Sequence, residues 1–220
     1  MKRRFVSAAL AAMLAVVLVL PAAAGKPAAA DRRPYIFDPN HSQLNFVAEA
    51  LLLTAHGFFE KFDADIQVDP ENLENSTLTF TIDTASINTR NDRRDNHLRS
   101  DAFFDVANNP QIKFVSTKIT KVDANNLLIA GDLTIRGTTK QVQVPTRVVF
   151  LREGDGRFKG EFKINRMDYG VSYNSRMNPI ENDVLVQFDF HVQDRQAMEQ
   201  RRQQQQQKAP PKQPPPPPQS

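Results

Sequence analysis

The 220-residue chain has no cysteine and no tryptophan, and only three tyrosines and four histidines. Without cysteine there is no disulfide and no lipoprotein acylation site, so a folded domain must rest on its hydrophobic core, which the length permits. His41, His56, His97 and His191 share no metal-ligand spacing such as H-x-x-x-H, so no metal site and no cofactor are expected. There is no G-x-S-x-G nucleophile elbow either. A Ser42, His97 and Asp95 set can be drawn on paper without any supporting motif, so no catalytic residue is assigned. The apolar run over residues 5–20 falls short of the roughly 20 residues a spanning helix needs. Positive charge is also missing where it would count. The formal net charge is +3, but the leader contributes three positive charges, the next segment a net two and the tail a net four, leaving about −6 for residues 35–194. A nucleic-acid reader carries its positive charge on the folded part, so nucleic acid is excluded as a partner.

What is present divides the chain into four. Lys2, Arg3 and Arg4, the apolar run and Ala22-Ala23-Ala24 make residues 1–24 a signal peptide, with a second cleavage point after Ala30. The alternative is an uncleaved anchor. Residues 25–34, rich in Ala, Pro and Arg, are expected to be a disordered linker. Residues 195–220 are Gln, Arg and Pro and are expected to be a disordered basic tail that ends in polyproline II. Its charge would also suit anionic lipid headgroups or an envelope polymer.

Residues 35–194 read as one β domain. Leu78, Phe80 and Ile82 alternate with Thr77, Thr79, Thr81 and Asp83, the period of a half-buried strand. Leu127, Ile129, Leu133 and Ile135 do the same around Gly131, which suggests a bend or bulge. Val184, Val186, Phe188, Phe190 and Val192 form the cleanest series, opposite Gln187, Asp189, His191 and Gln193. The spacing predicts one helix at about 90–100, started by a Thr89/Asp92 capping box and supported by an Asp95–Arg99 pair at i,i+4. Only Leu98 is apolar there, so this helix lies across a surface or an opening. Strands of this number, with hairpin-length links, call for an antiparallel barrel or sandwich, and their length favours a closed eight-stranded barrel. Such a barrel is packed solid or holds one apolar ligand. Fifteen phenylalanines make the interior oily either way. Strand parity selects Phe46, Leu78, Phe80, Ile82, Phe103, Phe114, Phe162, Val186 and Phe188 as lining. Arg94, Asp95, His97 and Arg99 are either exposed ion pairs and caps or a polar rim for a ligand headgroup, where Arg would pair with phosphate or donate to a quinone carbonyl.

Ordered blocks then carry a resemblance: D-P-N-H-S at 38–42, T-I-D-T-A-S-I-N-T at 81–89, R-R-D-N-H-L-R-S at 93–100, F-F-D-V at 103–106, F-V-S-T at 114–117, G-D-L-T-I-R-G-T-T-K at 131–140, I-N-R-M-D-Y-G at 164–170 and the closing V-L-V-Q-F-D-F. Over residues 35–193 the chain resembles the YceI-like polyisoprenoid-binding family. The resemblance implies an all-β, eight-stranded, lipocalin-like barrel, exported to the periplasm. It would hold a long isoprenoid lipid, a polyprenyl phosphate or an isoprenoid quinone, and carry it without catalysing a reaction. Transient membrane contact and a dimer both fit that role. The alternative is a ligand-free barrel acting as an envelope stress or interaction protein. One position departs from the family pattern. Four residues after Phe46, where the family commonly has histidine, stands Ala50, followed by Leu51-Leu52-Leu53. These leucines either widen the lining or form an exposed lip.

Overall fold

A computed structural model describes residues 32–152 and 154–208. The expected signal peptide, most of the linker and the proline-rich end of the tail lie outside these residues. Eleven strands form one antiparallel sheet: β1 Arg33–Phe37, β2 Gln43–Ala50, β3 Leu53–Phe59, β4 Phe62–Val68, β5 Thr77–Asp83, β6 Ile87–Asn88, β7 Gln111–Lys121, β8 Asn126–Ile135, β9 Thr138–Arg152, β10 Asp155–Asn165 and β11 Ile180–Asp194. Their order is β1-β4-β5-β7-β8-β9-β10-β11, and β1 pairs with β11 as well, which closes the ring. The other three strands do not widen it. β11 lies beside β1 at its end (Phe37↔Val192) and beside β2 along the rest (Leu44↔Phe188, Ala50↔Ile180), so β1 and β2 are one strand broken by a turn at Pro39–His41. β3 and β4 form a second broken strand, and β6 pairs only with β3. Eight strands therefore go round the wall, giving a closed antiparallel barrel of the lipocalin-like kind.

Alternation sets which side chains enter the barrel. In β8, Leu127, Ile129, Leu133 and Ile135 are all buried, because successive Cβ atoms point to opposite faces. The irregularity expected near Gly131 falls on its partner: the pairing register shifts between Ser116 and Lys118 of β7. The β8–β9 hairpin turns through Arg136 and Gly137 at φ 48° and 73°, the positive-φ pair of a two-residue turn that matches strand twist.

Three local expectations are corrected. The helix α1 spans Asp92–Arg99, but its N-cap is Asn91, whose side chain accepts from Arg94 N at 3.0 Å; Thr89 lies before the cap and bonds Asp95 instead. The linker assigned to 25–34 gives up its last two residues to β1, where Arg33 and Pro34 sit opposite Val68 and Gln67. Proline is tolerated at a strand's beginning, where ladder donors are fewest. Finally, Arg195–Lys208 forms a helix, α2, where a disordered tail was expected. Its Gln, Arg, Met and Ala residues are good helix formers. Buried Asp194 starts the helix, Oδ1 accepting from Gln196 N at 2.8 Å and Ala197 N at 3.2 Å. Proline sets in just beyond, as a helix stop requires.

One end of the barrel is filled by Tyr35, Val68 and Val192, packed with Leu73 of the short turn at Leu73–Asn75. The other end is covered by α1, the buried Phe103 and the segment over residues 166–180. Two arginines tie down that covering. Arg136 donates to the carbonyls of Asp101, Phe103 and Gly170 at 2.8–3.0 Å. Arg166, buried, donates to Val171, Tyr173, Ile180 and Glu181 carbonyls at 2.7–3.0 Å. Burial lowers the Arg166 pKa, and the four carbonyl dipoles replace the water its charge has lost.

Candidate ligand cavity

The barrel is hollow. A cavity of about 480 Å³ runs through it, bounded almost wholly by carbon, and its size lies within the roughly 300–1,000 Å³ of pockets that hold small organic molecules. Phe46, Leu78, Phe80, Ile82, Phe103, Phe114, Phe162, Val186 and Phe188, selected by parity, all face it.

Large side chains usually fill a barrel of this size, and glycine explains why these do not. Phe46 stands across from Gly57, and Phe188 across from Gly160. Phe114 reaches Gly131, diagonal to it across the β7–β8 pair. A Cβ built on Gly57 would lie 2.2 Å from the Phe46 ring, one on Gly131 2.4 Å from Phe114, and one on Gly160 2.5 Å from Phe188. In each case the ring occupies space that a side chain on the facing residue would take. Three phenylalanines thus lie flat along the wall and leave the axis open. A second group of rings, Phe37, Phe62, Phe80 and Phe190, packs edge-on and tilted at centroid distances of 4.9–5.7 Å, and all but Phe62 line the cavity.

Polar groups gather at the α1 end. Arg94, His97, Tyr173, Ser175 and Asn178 border the cavity there. Arg94 folds back on Thr89, Nε donating to Oγ1 at 2.8 Å and Nη2 to the carbonyl at 2.9 Å. The His97 ring stands edge-on to Phe103 and Tyr173, at centroid distances of 5.0 and 4.7 Å. Tyr169, also bordering the cavity, is buried deeply enough that its phenol pKa is pushed up to about 12, with Asp168 adding to the effect. It remains a neutral hydrogen-bonding group at any ordinary pH.

Two of the four expected rim residues are used elsewhere. Asp95 is 4% exposed and accepts from both the backbone N and the hydroxyl of Thr89. Arg99 donates to the carbonyls of Ala85 and Ile87, both at 2.7 Å. The i,i+4 ion pair between them therefore does not form. Each instead stitches α1 to the strand before it, because unpaired backbone groups there outcompete a solvated ion pair. Strand parity did not single out Tyr169, Val171, Tyr173, Ser175, Asn178 and Ile180: the first four do alternate, but residues 171–179 pair with no strand, so no sheet face fixed which way they point.

The leucine run forms a lip. Leu51 and Leu52 are 72% and 71% exposed, and Met177 next to them is 85% exposed. Leu51 N donates to Pro179 O at 3.0 Å and Leu52 N to Asn178 Oδ1 at 2.8 Å, so the β2–β3 turn and the 175–179 segment are joined into one tip. Leu53 reaches back from it to the cavity lining.

A closed barrel with a hollow carbon interior and a polar-edged, greasy-lipped end defines a cavity-bearing member of the lipocalin-like class. The chain belongs to the YceI-like domain family, whose model matches residues 35–192. It is 32% identical over 173 residues to protein YceI of Escherichia coli, covering 74% of this chain and 87% of that protein. Among solved structures it is similar to Burkholderia cenocepacia BcnA, with a TM-score of 0.66 at 26% identity over 71% of this chain and 98% of the other. It also shares its fold with a polyisoprenoid binding domain from Saccharophagus degradans, with a TM-score of 0.58 at 17% identity over 74% of this chain and 99% of that domain.

Proposed function

We propose that this protein is a periplasmic, non-enzymatic carrier that holds a long isoprenoid lipid in its barrel and exchanges it with membrane through the leucine lip. The observation that carries this reading is the apolar cavity, bounded almost wholly by carbon, with Arg94, His97 and Tyr173 grouped at its α1 end. A prenyl chain has branched carbon along its length and one polar head, so a tube of carbon ending in Arg94, His97 and Tyr173 suits both parts. Each methylene removed from water contributes about 0.8 kcal/mol, so the chain supplies affinity by area and the rim selects the head. The rim favours a polyprenyl phosphate, for which Arg94 is a charge partner, and a quinone carbonyl could use the same donors. The polyisoprenoid-binding name of the Saccharophagus domain agrees with this choice. The basic, apolar and alanine-rich leader at residues 1–24 supports export.

The test is direct. Organic extract of the purified mature protein, read by mass spectrometry, should contain a stoichiometric prenyl lipid. Phe188→Arg, which puts a charge into the carbon wall, should reduce uptake of a fluorescent prenyl lipid at least tenfold while the β-sheet signal persists. An empty extract together with full uptake by the folded Phe188→Arg variant would remove the carrier role. Cell fractionation with amino-terminal sequencing, expected to begin at Gly25 or Asp31, checks the location.

A further inference from the structure

Four histidines without metal-ligand spacing looked inert in the sequence, yet the fold brings two of them together. We propose that Asp38, His41 and His191 bind a borderline divalent cation of the Zn²⁺ kind on the outer face of the wall, where the chain's first strand meets its last. Asp38 Oδ2 lies 2.7 Å from His41 Nδ1 and 3.4 Å from His191 Nδ1, and the three donor atoms are all within 4.8 Å of one another. Metal–ligand bonds of about 2.0–2.1 Å in a tetrahedron place neighbouring donors roughly 3.4 Å apart. The Asp38–His191 pair is already at that spacing. His41, whose side chain is 72% exposed, has room to back away by the roughly 0.7 Å that an ion requires.

Local structure holds these groups in place. Asp38 caps the turn at Pro39–His41, with Oδ1 accepting from Asn40 N at 3.0 Å, so Oδ2 is left for a single-oxygen contact. Phe190 and Val192 line the cavity, so His191 between them points outward. It is not the solvated residue its polar strand face suggested, for its side chain is only 19% exposed. Ser42 fixes its backbone, with Oγ accepting from His191 N at 3.0 Å and donating to His191 O at 3.3 Å. The decisive detail is His191 Nδ1 itself, which is buried and makes no hydrogen bond. Its approach to Asp38 Oδ2, at 3.4 Å, is a long ionic contact that leaves the nitrogen without a close partner. Buried polar atoms are rarely left so, and an ion between the three groups supplies the missing partner.

The donor set also chooses the metal. Two imidazoles and one carboxylate suit Zn²⁺, Cu²⁺ or Ni²⁺, whereas Mg²⁺ and Ca²⁺ prefer all-oxygen shells. Three protein donors leave a fourth position open to water. A bound ion would clamp the β1–β2 corner to β11, stabilising the closed ring by mass action. This inference is independent of what the cavity holds.

Titration of the tag-free, full-length protein with Zn²⁺ alone, followed by calorimetry and thermal melting, is the test. One Zn²⁺ per chain is expected with a Kd of about 10 μM or tighter, together with a rise of several degrees in Tm that Mg²⁺ does not produce. His41→Ala and His191→Ala should each weaken binding at least tenfold, and His56→Ala should not. Co²⁺ in place of Zn²⁺ should give visible d–d absorption of a four-coordinate ion that His41→Ala abolishes. The exposed His41 side chain keeps the test available if His191→Ala fails to fold. Absence of saturable binding, or Zn²⁺ affinity unchanged in His41→Ala, overturns the site.

Discussion

Gly57→Ala is the sharpest probe of why the barrel is hollow. The substitution adds one methyl group to β3, at a backbone conformation any residue can adopt. The new Cβ would lie 2.2, 2.6 and 2.9 Å from three atoms of the Phe46 ring, where carbon atoms settle at roughly 3.5–4.0 Å. The ring must therefore move by more than an ångström. It is pressed against the wall, so the free direction is into the cavity. Overpacking of this kind costs about 1–3 kcal/mol, a Tm drop of roughly 3–10 °C for a domain of this size. The same movement narrows the bore, so prenyl-lipid uptake should fall while short-chain analogues still enter. Phe46→Ala added to Gly57→Ala should restore uptake and recover part of the stability, a coupling that a double-mutant cycle reads directly. If Gly57→Ala melts and loads like the parent, the ring is not held by the missing side chain, and the glycine account of the open axis fails.

Three further outcomes follow from the same structure. Serine at Leu51 and Leu52 together should leave Tm within a degree or two, because both side chains are largely exposed; it should slow lipid transfer from vesicles several-fold, and an unchanged transfer rate would separate the lip from membrane contact. Arg166→Lys retains the charge but loses the fork that reaches four carbonyls; a loss of about 2–4 kcal/mol by urea unfolding is expected, and a loss below 1 kcal/mol would mean the 171–181 segment holds itself. Asp189 is hydrogen-bonded and ion-paired by Arg157, then by Lys159, which holds its carboxyl below the usual carboxylate range. A depressed folded-state pKa gives stability that is present above the unfolded value of about 3.9 and lost as pH falls through the folded one. Acid unfolding of Asp189→Asn should accordingly have a shallower slope below about pH 4, and an identical slope would assign the acid sensitivity to other groups.

The wall was legible in the sequence because a strand repeats every two residues, and a single parity decision places a whole side. That is why the eight of the nine chosen apolar residues that lie on strands all face the cavity; Phe103 also faces it, but from the turn after α1, where no strand period applies. The covering was not legible. Val171, Tyr173 and Ser175 alternate but pair with no strand, and the placement of this segment depends on Arg166, which nothing nearby in sequence marks as buried. Gly57, Gly131 and Gly160 read only as weak points in strands, since their partner rings sit on other strands. Thr89 and Asn91 are both good caps, and the choice between them fell to Asp95, which takes Thr89 for itself. The Gln-rich stretch after Asp194 looked like low complexity, yet each residue in it is tolerated in a helix and Asp194 supplies the start. His41 and His191 stand on either side of the ring closure, where no local spacing rule reaches.

The order of the strands has a consequence for biosynthesis. Among the described strands β11 is the last, and it touches β10, β2 and β1, so the ring stays open until residues 180–194 have left the ribosome. Until then the nascent sheet exposes unpaired edges and no interior volume exists for cargo to enter. Nonsense truncation anywhere before residue 180 should give an aggregation-prone open sheet rather than a weaker binder.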